Sequence, residues 1–439
     1  MIQCSYIHED SAIIRHLFNT LFKKYKKKIS PHVLIPANQH SITTKQISRN
    51  ALNVLHRLQQ HKFTAYLVGG CIRDIVLGVH PKDFDIATNA TPEEIKKLFR
   101  NCIIIGRRFR LAHVRFGREV IEVTTFRAGD HKKSLTHRIT AKHGMLLRDN
   151  IYGCIEEDVW RRDFTINALY YNTMDQTIID YCEGMRDLKQ RSLRIIGDPA
   201  TRFKEDPVRL LRAIRFAVKL KGHIEPSTAA VMKEAAPLLE HVSPARLLDE
   251  TLKLFNNGYA LPNYRLLEEY NLFAQLFPQT AQSTYPAKNK WLTLCCASTD
   301  KRFQQKKTTS PTFLFASLLW PALMVTRPRR TITYSEAIRT LLRQQQNRII
   351  LPKRYTLGIQ ELWMLQTKFI RIRPDDISYL MQHPRFRAAY DFLLLRAEID
   401  SNCVQSAQWW THFITADANT KTALIAQLSN RKTQHEPIN

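Results

Sequence analysis

Two aspartates and a nearby glycine pair carry the clearest chemistry in this sequence of 439 residues. Asp83 and Asp85 are two positions apart, so on a β-strand both side chains point to the same face and can converge on one hard cation. Mg²⁺ prefers such oxygen ligands and keeps positions open for water and for substrate phosphates. A D-x-D pair alone is common on solvated surfaces, but here a Gly-Gly-x-x-Arg-Asp element begins a short distance upstream, at Gly69. We therefore predict a metal site at Asp83 and Asp85.

The glycine element is suited to hold the phosphates of a nucleotide. Gly69 and Gly70 follow the short apolar run Ala65–Val68 and let the backbone approach a triphosphate closely. The helix expected after them offers N–H donors and the positive end of its dipole. Arg73 is placed to add a charge-assisted contact. Beside a metal site, these features indicate a nucleoside triphosphate as the ligand.

Phosphoryl transfer with two metal ions requires a third carboxylate, and the sequence offers two candidates. Glu122 lies in the run 119–126, a predicted strand that should neighbour the strand of the two aspartates. Asp163 lies in the stretch Arg-Arg-Asp-Phe-Thr-Ile-Asn-Ala, which begins at Arg161. The structural alternatives are an ordinary exposed strand residue for Glu122 and, for Asp163, a helix N-cap paired with Arg161. Both candidates stay open.

A second constellation could recognise a base. Pro207 occupies the first turn of a helix predicted to start at Glu205, a position that tolerates proline. On that helix Asp206 and Arg209 are neighbours at i and i+3, with Arg212 one turn further on as another candidate. An acceptor beside a donor matches a base edge that places an amino group next to a ring nitrogen, as in adenine and cytosine. The alternative is an ion pair on a helix surface.

Positive charge predominates, with 66 Lys and Arg against 39 Asp and Glu and a net charge of +27. The segment 301–373 alone carries 15 Lys or Arg against only Glu336 and Glu361, a net +13. Aromatic residues interleave with these cations: Trp320, Tyr334, Tyr355, Trp363 and Phe369. Solvated helix faces would carry a balance of acids, which is missing here. The pattern therefore favours single-stranded RNA, whose phosphates pair with cations and whose bases stack on aromatic rings.

Composition excludes several other classes of protein. A 44% hydrophobic content supports a packed core and argues against a disordered basic tail. We find no run of 18 apolar residues and no secretory signal, so neither a membrane span nor export is expected. The eight cysteines include no C-x-x-C pair, which argues against a disulfide scaffold or a zinc ribbon, and adjacent Cys295 and Cys296 are predicted to be buried thiols. A reducing, cytoplasmic location follows.

The periodicities predict an α+β fold: a head of four or five strands, then an almost entirely helical remainder. The predicted strands cover 65–68, 84–87, 103–105, 112–116 and 119–126, and 130–150 is predicted to be a loop. A capping box opens a helix at Thr91. The predicted domains are a basic extension (1–33), a catalytic head (34–180), a helical neck that recognises the base (181–260), a basic RNA-binding body (261–373) and an arginine-rich C-terminal region (374–439).

Four of these elements, in this order, resemble the class II nucleotidyltransferase motifs of the polymerase-β superfamily, which includes tRNA CCA-adding enzymes and bacterial poly(A) polymerases. They are the Gly69 element, Asp83-x-Asp85, the stretch from Arg161 and the Glu-Asp-x-x-Arg run from Glu205. The segments 104–116 and 383–396 resemble the poly(A) branch in particular. Cys154 stands where that pattern has threonine, which puts little in doubt.

The resemblance implies a polymerase-β-like head followed by helical neck, body and C-terminal RNA-binding regions. It assigns the metals to Asp83 and Asp85, with Asp163 as the third active-site acid. The implied nucleotide contacts are Gly69, Gly70 and Arg73 for the triphosphate, Arg162, Asp163 and Asn167 for the ribose, and Asp206 and Arg209 for the base. The expected reaction is template-independent transfer of AMP from ATP to RNA 3′ ends, with release of pyrophosphate, for mRNA polyadenylation and RNA decay. Mg²⁺ is the expected cofactor, Mn²⁺ can substitute, and a monomer that works with RNA-decay proteins is expected.

Two other functions compete with this expectation. A CCA-adding enzyme shares the motifs, but it needs neither the 104–116 segment nor an arginine-rich C-terminus to hold arbitrary RNA ends. A catalytically silent RNA-binding protein is disfavoured because the acids and the glycine pair are intact. The lysine-rich stretch 23–28 fits either RNA or a membrane surface and stays unassigned.

Overall fold

The computed structural model describes residues 32–106, 110–128, 138–140, 146–149, 151–326 and 333–433. The lysine-rich stretch 23–28 and the arginines at 327–330 lie outside these ranges. The chain forms two compact units, with the division after Lys189, and residues 140–146 are grouped with the second unit. Each unit is described on its own below.

The first unit is built around a mixed sheet of eight strands. The strands are β1 (Val33–Ile35), β2 (Ala65–Val68), β3 (Asp85–Thr88), β4 (Cys102–Ile105), β5 (Leu111–Phe116), β6 (Glu119–Thr125), β9 (Leu169–Tyr171) and β10 (Ile178–Asp180). Their order in the sheet is β1-β10-β9-β2-β3-β6-β5-β4. Strands β3 and β6 pair in parallel, and every other neighbouring pair in the sheet is antiparallel. A separate two-stranded sheet pairs β7 (Arg138–Thr140) with β8 (Leu146–Asp149).

Helices with clear local signals accompany this sheet. Ser48 caps the first helix, accepting a hydrogen bond from the Ala51 N–H, and the apolar positions of that helix face inward. Thr91 and Glu94 form the predicted capping box. The helices of this unit are α1 (Arg49–Gln60), α2 (Gly70–Val76), α3 (Pro92–Leu98), α4 (Ile155–Arg161) and α5 (Gly184–Gln190).

The prediction of four or five strands was wrong in number. All five predicted strands exist, with ends shifted by at most one residue. The missed strands β1, β9 and β10 have three residues each, too few to display an alternating pattern. Strand β1 begins at Val33, inside the predicted extension, and β7 and β8 lie where a loop was predicted. The α+β class itself is confirmed.

The second unit is almost entirely helical, as predicted; its described exception is a short parallel pair of β11 (Ser192–Leu193) and β12 (His223–Ile224). Its helices are α6 (Pro199–Glu205), α7 (Val208–Leu220), α8 (Pro226–Ala230), α9 (Met232–Ala235), α10 (Pro244–Phe255), α11 (Ala260–Glu269), α12 (Leu272–Leu276), α13 (Pro278–Ala281), α14 (Lys288–Gln304), α15 (Pro311–Thr326), α16 (Tyr334–Gln346), α17 (Lys353–Ile370), α18 (Pro374–Gln382), α19 (Phe386–Ala397), α20 (Ser401–Thr415) and α21 (Ala418–Thr433). Cys295 and Cys296 are buried, as predicted. Among the described helices, none is long and apolar enough to cross a membrane.

Most of the aromatic residues expected to stack on RNA are part of the core instead. Trp320, Trp363 and Phe369 are almost completely buried, whereas Tyr334 and Tyr355 are half-buried. A base cannot stack on a ring that other side chains already cover. The interleaving of aromatic residues with arginines therefore reflects helix faces that pack inward, and the stacking prediction was wrong for these three rings.

Candidate active site

Strand pairing places one of the predicted catalytic aspartates next to a second acid. Asp85 is the first residue of β3; in the register of the sheet it is opposite Val68 of β2 on one side and Glu122 of β6 on the other. Residues that are directly opposite on neighbouring strands point their side chains to the same face of the sheet. Asp85 and Glu122 therefore lie side by side at this edge.

Asp83 lies in the segment that leads into β3 rather than on the strand itself. Between the two aspartates, Phe84 is buried, whereas Asp83 is exposed and Asp85 half-buried. Burial raises the pKa of Glu122, Arg127 opposes the shift, and the charge of Asp83 adds to it. Asp83 thus interacts electrostatically with Glu122, which lies beside Asp85 in the sheet.

Glu122 has a further neighbour that sequence reasoning missed. His113 of β5 is opposite Glu122 in the antiparallel register, and its Nε2 lies 3.6 Å from Oε2 of the glutamate. Burial lowers the pKa of His113, which favours the neutral imidazole near pH 7. The contact is therefore polar rather than a full ion pair. Only the pairing of β5 with β6 shows it, because no local motif joins the two residues.

Gly69 connects β2 to α2 at the same edge. Its φ of +78° is a left-handed conformation that side chains other than glycine rarely adopt. A Cβ atom built at this position would lie 3.7 Å from Nη1 of Arg162 and 4.0 Å from Oδ2 of Asp85. Gly69 is buried, and its N–H donates to the Leu169 carbonyl at 3.4 Å. Having no side chain, it lets the backbone lie close to Asp85 and Arg162, and Gly70 begins α2 directly after it.

A buried network holds Arg162 in place. Its Nε donates to the Tyr170 hydroxyl at 2.7 Å and to Oδ2 of Asp158 at 3.0 Å. The Tyr170 hydroxyl donates to the same carboxylate oxygen at 2.6 Å. Although burial alone would lower the pKa of Arg162, Tyr170 and Asp158 raise it, so the guanidinium is charged. The sequence reasoning missed both partners, although Asp158 lies only four residues before Arg162 and Tyr170 eight residues after it.

Arg73, a predicted contact to the triphosphate, is held by partners within the protein. Only 4% of it is exposed, and its guanidinium donates to Oδ1 of Asp74 at 2.9 and 2.7 Å and to Oδ1 of Asn167 at 2.6 Å. The Asn167 amide in turn donates to Oδ1 of Asp163 at 3.1 Å, and Asp163 also accepts the Phe164 N–H at 2.8 Å. These hydrogen bonds fix the orientation of the Asn167 and Asp163 side chains.

The base-recognition candidates in the second unit are held by partners of opposite charge. Asp206 ends α6 rather than lying on α7, so it does not share a helix face with Arg209 as predicted. Both of its carboxylate oxygens accept hydrogen bonds from Arg246, each at 3.0 Å. Arg209 is buried and donates to the carbonyl of Arg202 at 2.7 Å and to Oε2 of Glu205 at 3.1 Å. Arg246 lies 40 residues beyond Asp206, which explains why no local motif revealed it.

Arg212 is the remaining base-recognition candidate. It lies on α7, one turn beyond Arg209, and is half-buried. Its guanidinium carbon is 5.1 Å from the ring centroid of Phe216. A cation over an aromatic face is a packing contact of the helix surface, so this position by itself does not point to a base.

The carboxylates were tested as a metal site. Within the described residues, no group of three His, Cys, Asp or Glu side chains stands close enough to hold a metal ion unaided. Mg²⁺, however, is commonly bound by one or two carboxylates together with substrate phosphates and water. Exposed Asp83 and half-buried Asp85 offer hard oxygen ligands, and Asp85 lies close to Gly69. The donor set therefore fits Mg²⁺ that arrives with a triphosphate.

Family models match most of the chain. The model described as "Poly A polymerase head domain" matches residues 65–194. A second, "Probable RNA and SrmB-binding site of polymerase A", matches residues 223–283, and a third, "Polymerase A arginine-rich C-terminus", matches residues 328–437. Along the chain, the three models follow one another in the order head domain, RNA and SrmB-binding site, and arginine-rich C-terminus.

The relatives of this chain fall into two groups, poly(A) polymerases and CCA-adding enzymes. Poly(A) polymerase I of Escherichia coli O6:H1 is 46% identical over 413 residues, covering 90% of this chain and 88% of the relative. A CCA-adding enzyme of Lactobacillus helveticus is 39% identical over 204 residues, covering 46% of this chain and 49% of the relative. Among solved structures, the CCA-adding enzyme of Bacillus stearothermophilus in complex with CTP is 26% identical, has a TM-score of 0.58 and covers 82% of this chain and 80% of that chain.

The mixed sheet with its carboxylates at the β3–β6 pair, together with the match to a CCA-adding enzyme structure, defines a nucleotidyltransferase of the polymerase-β type. The poly(A) polymerases match about nine tenths of the chain, whereas the CCA-adding enzymes match about half of it. The chain belongs to the poly(A) polymerase family. The resemblance drawn from the sequence motifs is thereby confirmed.

Proposed function

We propose that the chain is a template-independent polynucleotide adenylyltransferase. It transfers AMP from ATP to the 3′-hydroxyl of RNA and releases pyrophosphate. The observation that carries the proposal is the parallel pairing of β3 with β6, which sets Asp85 beside Glu122 and next to Gly69. Relatives named poly(A) polymerase I, which match nearly the whole chain, supply the choice of ATP and RNA.

Asp83 and Asp85 are proposed to hold Mg²⁺, for which Mn²⁺ can substitute. When bound, the metal lowers the pKa of the attacking hydroxyl and neutralises charge on the leaving pyrophosphate. We assign the third acid to Glu122 rather than to Asp163. Glu122 is in register with Asp85, whereas Asp163 accepts hydrogen bonds from Asn167 and from the backbone of Phe164.

The nucleotide contacts follow from the same geometry. Gly69 and Gly70 are the proposed triphosphate contacts, because they bring the backbone at the start of α2 close to Asp85. The charged Arg162 beside Gly69 offers a contact to a phosphate or to the ribose. Asn167 and Asp163 are the proposed ribose contacts. Arg73 acts as a positioning residue for Asn167, because its own guanidinium is buried against Asp74 and Asn167.

For the base, Arg209 and Asp206 are the proposed contacts, with Arg246 fixing the Asp206 carboxylate. Arg246 orients the Asp206 carboxylate, whose oxygens are hydrogen-bond acceptors of the kind that the amino group of adenine requires. Arg212 is assigned a lesser contribution, because it stacks over Phe216. Selection by protein side chains accounts for polymerisation without a template.

RNA 3′ ends are the proposed acceptor, from mRNA and also from small RNAs and tRNA precursors. The family description of residues 223–283 as a probable RNA and SrmB-binding site supports contact with RNA and with a partner protein. RNA-decay proteins are the partners that we propose. A monomer is proposed, with the second unit holding RNA while the first carries out the transfer.

The test is extension of a 5′-labelled oligoribonucleotide unrelated to tRNA, with each nucleoside triphosphate in turn and Mg²⁺. A long ladder with ATP alone supports the proposal. Addition of only one to three C and A residues to a tRNA that lacks its end would instead assign CCA addition. Absence of any transfer under every metal condition would leave a silent RNA-binding protein.

Matched variants locate the chemistry. Asp83→Ala and Asp85→Ala should abolish extension while RNA binding, followed by fluorescence anisotropy, persists. Asp175→Asn removes an exposed carboxylate from a turn of the same unit and should leave extension unchanged. Loss of RNA binding in both of the first two variants would argue against their role as metal ligands.

A further inference from the structure

A cavity of about 410 Å³ opens among helices α16, α17 and α18 of the second unit. Its apolar part includes buried Ile338 and Leu365 and the exposed side chains of Leu357 and Met364. Polar groups line the rest, namely Ser335, Gln360 and Thr367. The mixture of apolar surface and hydrogen-bonding groups in a cavity of this volume is typical of sites for small, flat polar ligands.

An exposed aromatic ring forms one wall. Tyr379 is 52% exposed, although large aromatic side chains are usually covered. Nζ of Lys368 lies 4.9 Å from the centroid of its ring, and the His383 ring lies 5.6 Å away at a steep angle. A ring flanked by a cation and left open to solvent is the arrangement on which nucleobases stack in proteins that bind single strands.

Cations line the cavity. Arg339 is exposed, whereas Lys368 pairs with Asp376, and Glu361 pairs with Arg385. Glu336, one turn before Arg339 on α16, interacts with it electrostatically, but its carboxylate accepts hydrogen bonds from Thr333 at the start of the helix. The exposed guanidinium of Arg339 is therefore accessible to a phosphate of a polyanion.

We propose that this cavity seats one base of a single-stranded RNA, stacked against Tyr379, with the flanking phosphates at Arg339 and Lys368. The inference extends the proposed function, because the RNA would be the acceptor strand. An acidic amphipathic helix would also suit the charge, but such a helix needs a row of anchor positions along a groove. One compact cavity beside one exposed ring fits a single nucleotide better.

The first experiment measures RNA affinity of the full chain without ATP or metal ion. The probe is a fluorescent, single-stranded oligo(A) of about 15 nucleotides, long enough to occupy a typical single-strand site. Tyr379→Ala should weaken binding about tenfold, the size of effect expected from losing one stacked base. Tyr379→Phe keeps the ring and should bind like the unmodified chain, and Arg339→Glu should weaken binding and reduce its salt dependence.

Matched controls separate the cavity from general effects. Met381→Ala truncates an exposed side chain on the same helix outside the cavity, and Lys301→Glu makes the same change of charge as Arg339→Glu on a different helix. Met381→Ala should leave affinity unchanged, and Lys301→Glu should cost clearly less than Arg339→Glu. Equal losses in the two charge variants would reduce Arg339 to a general electrostatic role and overturn its part in the site.

A second measurement locates the RNA directly. The same oligonucleotide carrying 4-thiouridine, irradiated on the full chain, should crosslink within residues 334–383. Affinity of Tyr379→Ala equal to that of the unmodified chain, or crosslinks confined to other segments, would overturn the inference. Capture of an acidic amphipathic peptide that depends on Tyr379, with RNA affinity unchanged, would assign the cavity to a protein partner and likewise overturn it. None of these readouts needs catalysis, so a failure of AMP transfer would be seen separately in the extension assay.

Discussion

Replacement of Arg246 by methionine is the sharpest test of how the base is selected. The substitution keeps most of the side-chain length but removes two hydrogen bonds of 3.0 Å to the two oxygens of Asp206. A hydrogen bond to a charged group contributes about 1.5–3 kcal/mol. Because 36% of the Arg246 side chain is exposed, solvent screens the pair, and we take about 2 kcal/mol for both bonds together.

Part of this free energy of about 2 kcal/mol contributes to folding stability, and part contributes to recognition of ATP. If the Asp206 carboxylate turns away from the base, about 1.4 kcal/mol lost from ATP binding raises the KM for ATP about tenfold. The ratio of kcat/KM for ATP over CTP should fall, because a rotating carboxylate accepts either amino group. Arg246→Lys keeps the charge without the two-pronged geometry and should show an intermediate ratio.

Steady-state extension of an oligoribonucleotide with ATP or CTP as the only triphosphate measures these ratios, and urea unfolding measures the stability. Arg265→Met, an exposed arginine on α11, is the matched control and should change neither. If Arg246→Met unfolds more easily yet keeps its ATP over CTP ratio, the arginine only stabilises the unit. The reasoning about base selection would then be refuted.

Three further predictions concern the first unit. Glu122→Gln should lower kcat at least a hundredfold, which is the effect expected from losing one charge that acts in the transition state. Asp163→Asn should mainly raise the KM for ATP. The reverse pattern in extension kinetics would make Asp163 the third acid. Gly69→Ala adds a side chain at a φ of +78° beside Asp85 and should lower both the affinity for ATP and the stability of the chain. Calorimetry measures the affinity and thermal unfolding the stability. An unchanged affinity for ATP would contradict the close approach of phosphates to this residue. Thr91→Ala removes a helix cap and should cost about 1 kcal/mol of the free energy of unfolding. The Thr91 N–H and hydroxyl both lower the pKa of Glu94, and Thr91→Ala removes only the hydroxyl bond. The part of the difference that depends on the Glu94 carboxylate should be present at neutral pH and be lost as the pH falls through the lowered pKa of Glu94. A difference that stays constant in denaturant titrations from neutral to acidic pH would exclude that part.

Strands with a visible alternation could be predicted from the sequence, and the others could not. Strand β6 runs for seven residues with alternate side chains facing inward, and its bounds differed by one residue from the prediction. Strand β9 has three residues, all buried on both faces, so it has no alternation to read. Only hydrogen bonding to β2 and β10 makes it a strand.

The aromatic residues of the second unit show a signal that could have been read better. Helix α15 is apolar almost all round, which indicates a buried helix, and Trp320 belongs to it. In α17, Leu362, Leu365 and Phe369 recur at spacings of three and four residues, the pattern of a face that packs inward. Counting aromatics between arginines ignored this periodicity, so core residues were taken for an RNA surface.

The residues of the candidate site also differ in how far they could be predicted from the sequence. Residue types and spacing were enough to propose Asp83, Asp85 and the glycine element as site residues, because the chemistry proposed there lies within a few consecutive residues. The partner that orients Asp206, Arg246, is 40 residues away, whereas Asp158 and Tyr170 are near Arg162 in the chain but form no motif that indicates the contact. A sequence motif names the group that meets the substrate, whereas the group that holds it in place depends on how elements pack.

These partners give the proposed site a common property. Most charged groups assigned to nucleotide recognition already have a partner of opposite charge: Arg73 with Asp74, Arg162 with Asp158, Arg209 with Glu205 and Asp206 with Arg246. Their side chains are therefore ordered by folding, and ATP does not have to supply the free energy of ordering them. Selectivity without a template requires this, because a side chain that reorients can fit the hydrogen-bonding edge of more than one base. At β3 and β6 the carboxylates lie close together: burial raises the pKa of Glu122, Arg127 opposes the shift, and the charge of Asp83 adds to it. We therefore expect a cation to relieve the repulsion among these carboxylates, so that Mg²⁺ arriving with the triphosphate would complete the proposed catalytic group.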